Sequence, residues 1–403
     1  MSGHHHGCAI VTGMQLFDTA SRKLEEVSNS GILGVYVCGI TPYAAAHIGH
    51  AMVYLTYDLL IRRLRDRGQE VASVRNITDV DDSILEYARA YKVNYLELGE
   101  SEETRFASEM SQLNLLPPDQ EPRSTHSIQS TVELIRELTA GGFTYVLDGD
   151  TYFNTAAFAG FGNLSMYPDT LRLALARARG GDPDKPGKRH PLDFVLWKMS
   201  SPGEPSWDTE LGTGRPGWHV GCAAMSRSAL GSTVDIHGGG TDLVFPHHEC
   251  KRAIVEAITG KPFVKHWVHT GVVTYAGEKM SKSFGNLVFV GDVLRSCEPT
   301  VLRLALMSHH YRSGFEWDTS MLEPASELLS RLRSAIAGGA GADPRPYLAE
   351  VRAALDDDLN APRAVNAVTD LADSISEGGS DKSAGDGVLT CCNILGIDLV
   401  RRT

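Results

Sequence analysis

GVYVCGITPYAAAHIGHAMVYLTYDLLIRRL, residues Gly34 to Leu64, passes from an apolar run through a Thr-Pro turn and two histidines around one glycine into a helical pattern. Val35, Tyr36 and Val37, leading to Cys38, read as a buried strand; Met52, Leu55, Leu59, Leu60 and Leu64 then recur at spacings of three and four, the period of one helix face. Gly68 stops that helix, and EVASVRNITDV, Glu70 to Val80, supplies a second strand. Strand, helix and strand in that order form the βαβ unit of a parallel sheet, whose ligand crevice lies at the carboxyl ends of its strands. His47 and His50 fall at that crevice. A helix start offers unpaired N–H groups and a positive dipole end to an anion, and Gly49 would let a charged ligand approach the main chain. Two imidazoles one turn apart can donate to phosphate oxygens. Taken alone, such a pair more often caps or packs.

Outward from this unit the pattern changes twice. From about Tyr91 to Lys188, helical stretches such as TVELIRELTA mix with short strands such as DTYFN and the Gly/Pro-rich loop RGGDPDKPGK, which predicts an insertion between two halves of one nucleotide-binding fold. The second half is expected to run from PLDFVLWK to about NLVFVGDVL. Beyond Glu298 the pattern is helical, in TVLRLALMSHHY, MLEPASELLSRLRSAIA and YLAEVRAALDDDLNAPRAVNAVTDLADSI, separated by the flexible GGAGADPRP and SEGGSDKSAGDG. The expected architecture is α/β: a Rossmann-like catalytic domain in halves 14–100 and 191–260, an inserted connective subdomain over 101–190, a junction domain over 261–320 and a C-terminal α-helical bundle over 321–403.

A chain of 403 residues with 42% hydrophobic content suits a globular enzyme, and its net charge of -12 opposes extended, nonspecific contact with nucleic acid. The cysteines, Cys8, Cys38, Cys222, Cys250, Cys297, Cys391 and Cys392, are odd in number and scattered, which predicts a reducing, cytoplasmic setting rather than a disulfide framework. The start MSGHHHGCAIVTG has no secretory pattern and no later run is apolar enough to span a bilayer, so no membrane association is expected.

A second motif raises the odds on the histidine pair. GEKMSKSFGN places Lys279 and Lys282 around Ser281 in a glycine-bounded loop. Two ammonium groups on a mobile loop suit the charge that develops on a triphosphate as pyrophosphate leaves, although an isolated Lys-Ser loop is usually a solvated turn. HIGH at 47–50 with KMSKS at 279–283 resembles the paired signatures of the class I aminoacyl-tRNA synthetases. YVCGITPY, NITDVDD, PLDFVLWK, GEPSW, GRPGWHVGC and DIHGGGTDLVFPHHE are similar to the cysteine-activating branch and extend the likeness from Met14 to about Ala361. Within that branch, GITPY, RGGDPDKPGK and the short C-terminus look most like the mycothiol cysteine ligases, which join cysteine to the amine of glucosaminyl-inositol.

That resemblance implies the fold of the class I synthetases and a two-step reaction, cysteinyl adenylate formation from L-cysteine and ATP, then transfer to an amine acceptor. It implies His47, His50, Lys279 and Lys282, with Mg²⁺, as the catalytic set, and Gly49, Gly239, Gly240, Ser281 and Ser283 around ATP. Thr41, Thr78 and Trp218 would contact the cysteine, Asp242 would pair with its ammonium, and Cys38, Cys222 and His247 would hold Zn²⁺. Spacing alone matches no metal motif, and without the family these cysteines read as inert core. A metal with an open fourth position would separate thiolate from hydroxyl better than pocket size can. The tRNA synthetases of the branch carry an acidic fourth ligand where this chain has Lys251, which implies a three-ligand site. Asp79, Asp81 and Asp82 remain equal candidates for the base.

Two carboxylates expected from the family are missing, with Ala44 after TPY and Gly221 before Cys222, and Cys250 is a further departure. They keep open a diverged ligase of a specialised pathway that uses another amine. A short tRNA synthetase is disfavoured because the chain ends at Thr403 without room for an anticodon-reading domain; a silent nucleotide-binding module is disfavoured by the intact lysines and histidines. No tRNA partner and a monomer or homodimer are expected.

Overall fold

The computed structural model describes residues 13–28, 31–280 and 285–400. A four-stranded parallel sheet forms the centre, in the order Val264–Thr270, Val234–Gly240, Leu33–Ile40 and Val71–Ile77. Leu33 to Cys38 are buried, as their unbroken apolar run requires when both sheet faces are covered. The helix Ile48–Asp66 crosses from the first strand to Val71–Ile77, and Gly68 just beyond it takes φ +78°, a left-handed conformation that suits a helix stop. From Leu33–Ile40 the chain reaches Val71–Ile77 on one side, and Val234–Gly240 on the other only much later. That reversal opens a crevice at the carboxyl ends of the two central strands, the ligand position of open α/β sheets.

The intervening chain carries the helices Asp82–Tyr91, Tyr95–Gln112, Ile128–Ala140 and Asp169–Ala178 and a five-stranded antiparallel sheet. Its strands run Thr144–Leu147, Asp150–Phe153, Phe194–Met199, Gly212–Pro216, Trp207–Thr209. PLDFVLWK, expected to open the second half of the nucleotide-binding fold, lies in this sheet instead, paired with Asp150–Phe153 and Gly212–Pro216. A short apolar run looks alike in a parallel and an antiparallel core; here the stacking of Phe194 on Phe153, with ring centres 5.0 Å apart, belongs to the antiparallel pair.

Five helices, Pro299–Met307, Leu322–Ala337, Pro344–Asp356, Ala361–Glu377 and Ala384–Ile394, form the C-terminal region. The long run from Tyr347 breaks in two because Asp358 and Leu359 turn left-handed, at φ +54° and +52°. Asp358 is fixed there by the Phe17 N–H at 2.9 Å, the Tyr311 hydroxyl at 2.6 Å and the Arg312 guanidinium. The last helix begins inside SEGGSDKSAGDG, the stretch expected to be flexible, and runs on past it; Ala384, Val388, Cys391 and Cys392 give it a buried face.

Arg303 clasps this region to the catalytic sheet. Its guanidinium, 1% exposed, pairs with Asp58 on the long helix and donates to the carbonyls of Leu113 at 3.0 Å and Leu395 at 2.7 Å. Arg303→Leu leaves the Leu113 and Leu395 carbonyls without this donor, while Asp58 keeps Arg62 at 2.9 Å and the Leu116 N–H at 2.8 Å, and it is expected to lower the unfolding free energy by about 2–3 kcal/mol, measured by urea denaturation.

Candidate active site at the carboxyl end of the sheet

His47 holds an extended conformation, φ -107° and ψ 169°, one residue before the helix that begins at Ile48. Its ring stacks on that of His50 at 3.9 Å and 24°, and its backbone N–H donates to His50 Nδ1 at 3.4 Å. Gly49 makes this possible: a Cβ there would lie 2.9 Å from His47 Cε1 and Nδ1. The glycine thus admits the His47 ring. His47 Nδ1 is buried without a hydrogen-bond partner among the described residues, so the ring retains a polar atom for a ligand.

Burial, then the neighbouring His50, lowers the His47 pKa to about 3, and burial lowers that of His50 to about 4. Both rings are neutral at pH 7. Because the unfolded chain would protonate these rings near 6.5, they contribute stability that is complete above that pH and is lost as pH falls towards 4 and 3. Neither ring is expected to titrate between about pH 5 and 8 in an NMR pH series, where an unperturbed histidine passes its midpoint.

The two motifs meet. Ile48 N–H donates to Val288 O at 2.9 Å and Val290 N–H to Ala46 O at 2.9 Å, so the chain that leaves the lysine loop is laced to the start of the histidine helix. Lys279 ends a two-residue strand, Glu278–Lys279, whose base is tied by the Asn286 amide to the carbonyls of Tyr275, Glu278 and Lys279. Lys279 Nζ reaches Asp242 Oδ2 at 2.9 Å, and Arg179 Nη2 reaches the same oxygen at 2.7 Å. Burial alone would raise the Asp242 pKa, but these two cations outweigh it and hold the carboxyl well below its usual range. Ser281, Lys282 and Ser283 lie outside the described residues. Gly239 and Gly240 are buried at the strand end, where a Cβ on Gly240 would come within 2.6 Å of Asp242 Oδ1.

Beside this histidine and lysine half lies a buried cluster of sulfur and imidazole. Cys38 comes from the first central strand, Cys222 from the helix Trp218–Leu230, and His247 and His248 from the kinked segment Val244–His248. The ligand atoms of Cys38, Cys222 and His247 all lie within 4.8 Å of one another, as do those of Cys38, His237 and His248. Cys38 Sγ is 3.8 Å from Cys222 Sγ and 3.1 Å from His248 Nε2. Outer partners fix the rings: His247 Nδ1 meets His219 Nδ1 at 3.0 Å, His248 Nδ1 meets His269 Nε2 at 2.7 Å, and His269 Nδ1 meets Thr19 Oγ1 at 2.7 Å. Burial opposes a thiolate at Cys222, but the Cys38 hydrogen bond and the charge of Lys251 outweigh it and hold the Cys222 pKa well below normal. Burial and Cys222 push Cys38 the other way.

Two sulfurs and an imidazole, all buried, suit a soft divalent ion such as zinc. Lys251 touches both triads, with its Nζ 2.7 Å from His237 Nε2 and 3.1 Å from Cys222 Sγ. Trp218 stacks on His247 at 4.3 Å and 22°. Thr78 Oγ1 accepts from the Asn76 amide at 3.1 Å, while Asn76 Oδ1 lies 3.5 Å from Cys222 Sγ. Thr41 donates to Asp81 at 3.1 Å.

Of the three clustered aspartates, Asp79 accepts from Thr125, and Asp82 pairs with Lys198 and Arg215. Asp81 caps the helix Asp82–Tyr91 through the Ile84 N–H and is the one bonded to Thr41; burial raises its pKa to about 6. Residues not expected in the site are Arg179 and the outer imidazoles of His219, His237, His248 and His269. Arg179 sits at the end of an exposed helix whose sequence offers only a basic residue before a glycine pair, and the histidines are spread over four separate elements. Among the described residues no helix is long and apolar enough to cross a membrane.

Residues 24–327 match the family model described as tRNA synthetases class I (C) catalytic domain. The L-cysteine:1D-myo-inositol 2-amino-2-deoxy-alpha-D-glucopyranoside ligase of Streptosporangium roseum is 47% identical over 373 residues, covering 92% of each chain. The enzyme of the same name from Mycolicibacterium vanbaalenii is 44% identical over 394 residues, 96% of this chain and 92% of that one. Among solved structures, Mycobacterium tuberculosis methionyl-tRNA synthetase in complex with methionyl-adenylate superposes with a TM-score of 0.65 at 16% identity, over 91% of this chain and 90% of that one. The Agrobacterium radiobacter agnB2 LeuRS, in a ternary complex with tRNA and LeuAMS, gives a TM-score of 0.66 at 12% identity, over 92% of this chain and 84% of that one.

Proposed function

The chain belongs to the class I (C) tRNA synthetase catalytic-domain family, and from that premise we propose that it is an ATP-dependent ligase that activates L-cysteine and joins it to the amine of glucosaminyl-inositol. The observation that carries this reading is the stacked His47 and His50 pair within the electrostatic reach of the Lys279–Asp242 ion pair, in the same fold as the Cys38, Cys222 and His247 cluster.

In the first half-reaction a carboxylate oxygen of cysteine forms a bond to the α-phosphorus of ATP while the bond to pyrophosphate breaks. The neutral His47 and His50 offer N–H donors to phosphate oxygens, and Lys279, with Lys282 and Mg²⁺, offsets the charge that moves onto the leaving group. Asp242, held ionised, takes the substrate ammonium; Lys279 and Arg179 both bond its Oδ2, and neither bonds Oδ1. Thr41, Thr78 and Trp218 frame the side chain. A zinc ion held by Cys38, Cys222 and His247 would supply a soft Lewis acid that prefers thiolate to hydroxyl.

In the second half-reaction the acceptor nitrogen bonds to the acyl carbon, AMP departs, and the amine loses a proton. Asp81, with its raised pKa and its bond to Thr41, is the base best placed among the three aspartates. Incubation with ATP, cysteine and glucosaminyl-inositol should give AMP and the cysteinyl amide by mass spectrometry; AMP-forming activity with other amines but not this one would refute the acceptor.

A second reading, with a different amine, is favoured by the two missing carboxylates. Gly221 is not forced by packing, since a Cβ there would meet nothing nearer than Pro216 Cβ at 3.6 Å. If these losses re-tuned the acceptor, Ala44→Asp with Gly221→Glu should change the ranking of amines in a competition assay and leave cysteine-dependent pyrophosphate exchange largely as it was.

A further inference from the structure

Lys251 is wholly buried, on the helix Glu249–Thr259 behind the sulfur cluster. Its Nζ donates to His237 Nε2 at 2.7 Å and to Cys222 Sγ at 3.1 Å, with Cys38 Sγ at 3.8 Å, and it lies 4.2 Å from the centre of the Tyr36 ring. Among the described residues none of its hydrogen bonds runs to a carboxylate. A lone pair, two sulfurs and an aromatic face form a nest built for a cation, and a buried cation requires a nearby anion. The cysteine sulfurs are the groups that can supply it.

The charge count then has a consequence for the ligand. Two thiolates cancel a divalent ion, and Lys251 leaves one positive charge over. A substrate thiolate closes that excess, whereas a hydroxyl leaves it in a dry pocket where charge interactions are strong. An acidic residue at the same place would make the loaded site negative before any thiolate arrived, and would itself fill the fourth position. We propose that Lys251 is a specificity-determining residue, whose fixed charge makes the metal-loaded site require an anionic fourth ligand and so sharpens the choice of thiolate over hydroxyl. This inference rests on the metal reading given above.

The test uses the full chain loaded with cobalt(II), titrated with L-cysteine while the thiolate-to-cobalt charge-transfer band is followed, and with L-serine as control. Metal affinity is measured separately by competition with a chelator. Lys251→Met, neutral and of similar length, should keep its cobalt and need at least about tenfold more cysteine to reach half-saturation, and Lys251→Glu should need still more. Cobalt-loaded Lys251→Met that titrates at the wild-type midpoint overturns this inference alone. Loss of cobalt from Lys251→Met also overturns it, since Lys251 would then assemble the ligand set rather than tune it. A wild-type chain that takes up no cobalt overturns the metal reading, and this inference with it.

Discussion

Cys222→Ser is expected to strip the site of its metal and to abolish cysteine-dependent exchange. Cys222 is the sulfur whose pKa the Cys38 hydrogen bond and Lys251 hold well below normal against burial, and it sits in the triad completed by Cys38 and His247. A serine hydroxyl at neutral pH brings neither the charge nor the softness of that ligand. The loss in metal affinity should exceed the roughly 10–100-fold that follows removal of an outer partner, so His219→Ala or His269→Ala makes the natural comparison. Chelator competition on the three variants checks the ranking. Metal retained by Cys222→Ser at the wild-type level would shift the site to Cys38, His237 and His248.

The second large effect is expected at the histidine pair. His50→Ala removes one N–H donor from the phosphate half of the site and also the ring on which His47 stacks, so cysteine-dependent pyrophosphate exchange should slow by about 10²–10³-fold. Because the hydrogen bond and ring contact of His50 among the described residues run to His47 and not to the sulfur cluster, cobalt uptake by the same protein should match the wild type. An equal fall in both would mean that the change had damaged the fold.

Much of this arrangement is legible in the chain because local chemistry dictates it. The buried run from Val35 to Cys38, the helix face from Met52 to Leu64 and the stop at Gly68 each follow from periodicity or backbone freedom, and together they place His47 and His50 at a sheet crevice. The parts that were hidden depend on distance. Phe194–Met199 reads as a buried strand, yet only its partners decide which sheet it joins. The split at Asp358 is imposed by Phe17, Tyr311 and Arg312, none of them near in sequence to the break in both directions.

The site shows the same division. HIGH and the lysine loop carry their chemistry in a few adjacent residues, so their types suffice. Cys38, Cys222 and His247 carry no spacing signal, and the resemblance to the cysteine-activating branch was needed to group them; the fold now brings their ligand atoms within 4.8 Å. Lys251 was legible as a non-ligand from its charge, but its nest on Tyr36 and His237 required the packed sheet. Arg179 gave almost no signal, because an arginine beside glycines is ordinarily a solvated turn, and its reach to Asp242 spans the insertion.

The most direct test of the central claim is incorporation of radiolabelled pyrophosphate into ATP by purified protein whose metal content has been determined. Rapid exchange with L-cysteine, little with L-serine, and zinc near one equivalent per chain is the predicted result. Zinc-replete protein that exchanges no label with cysteine would contradict it.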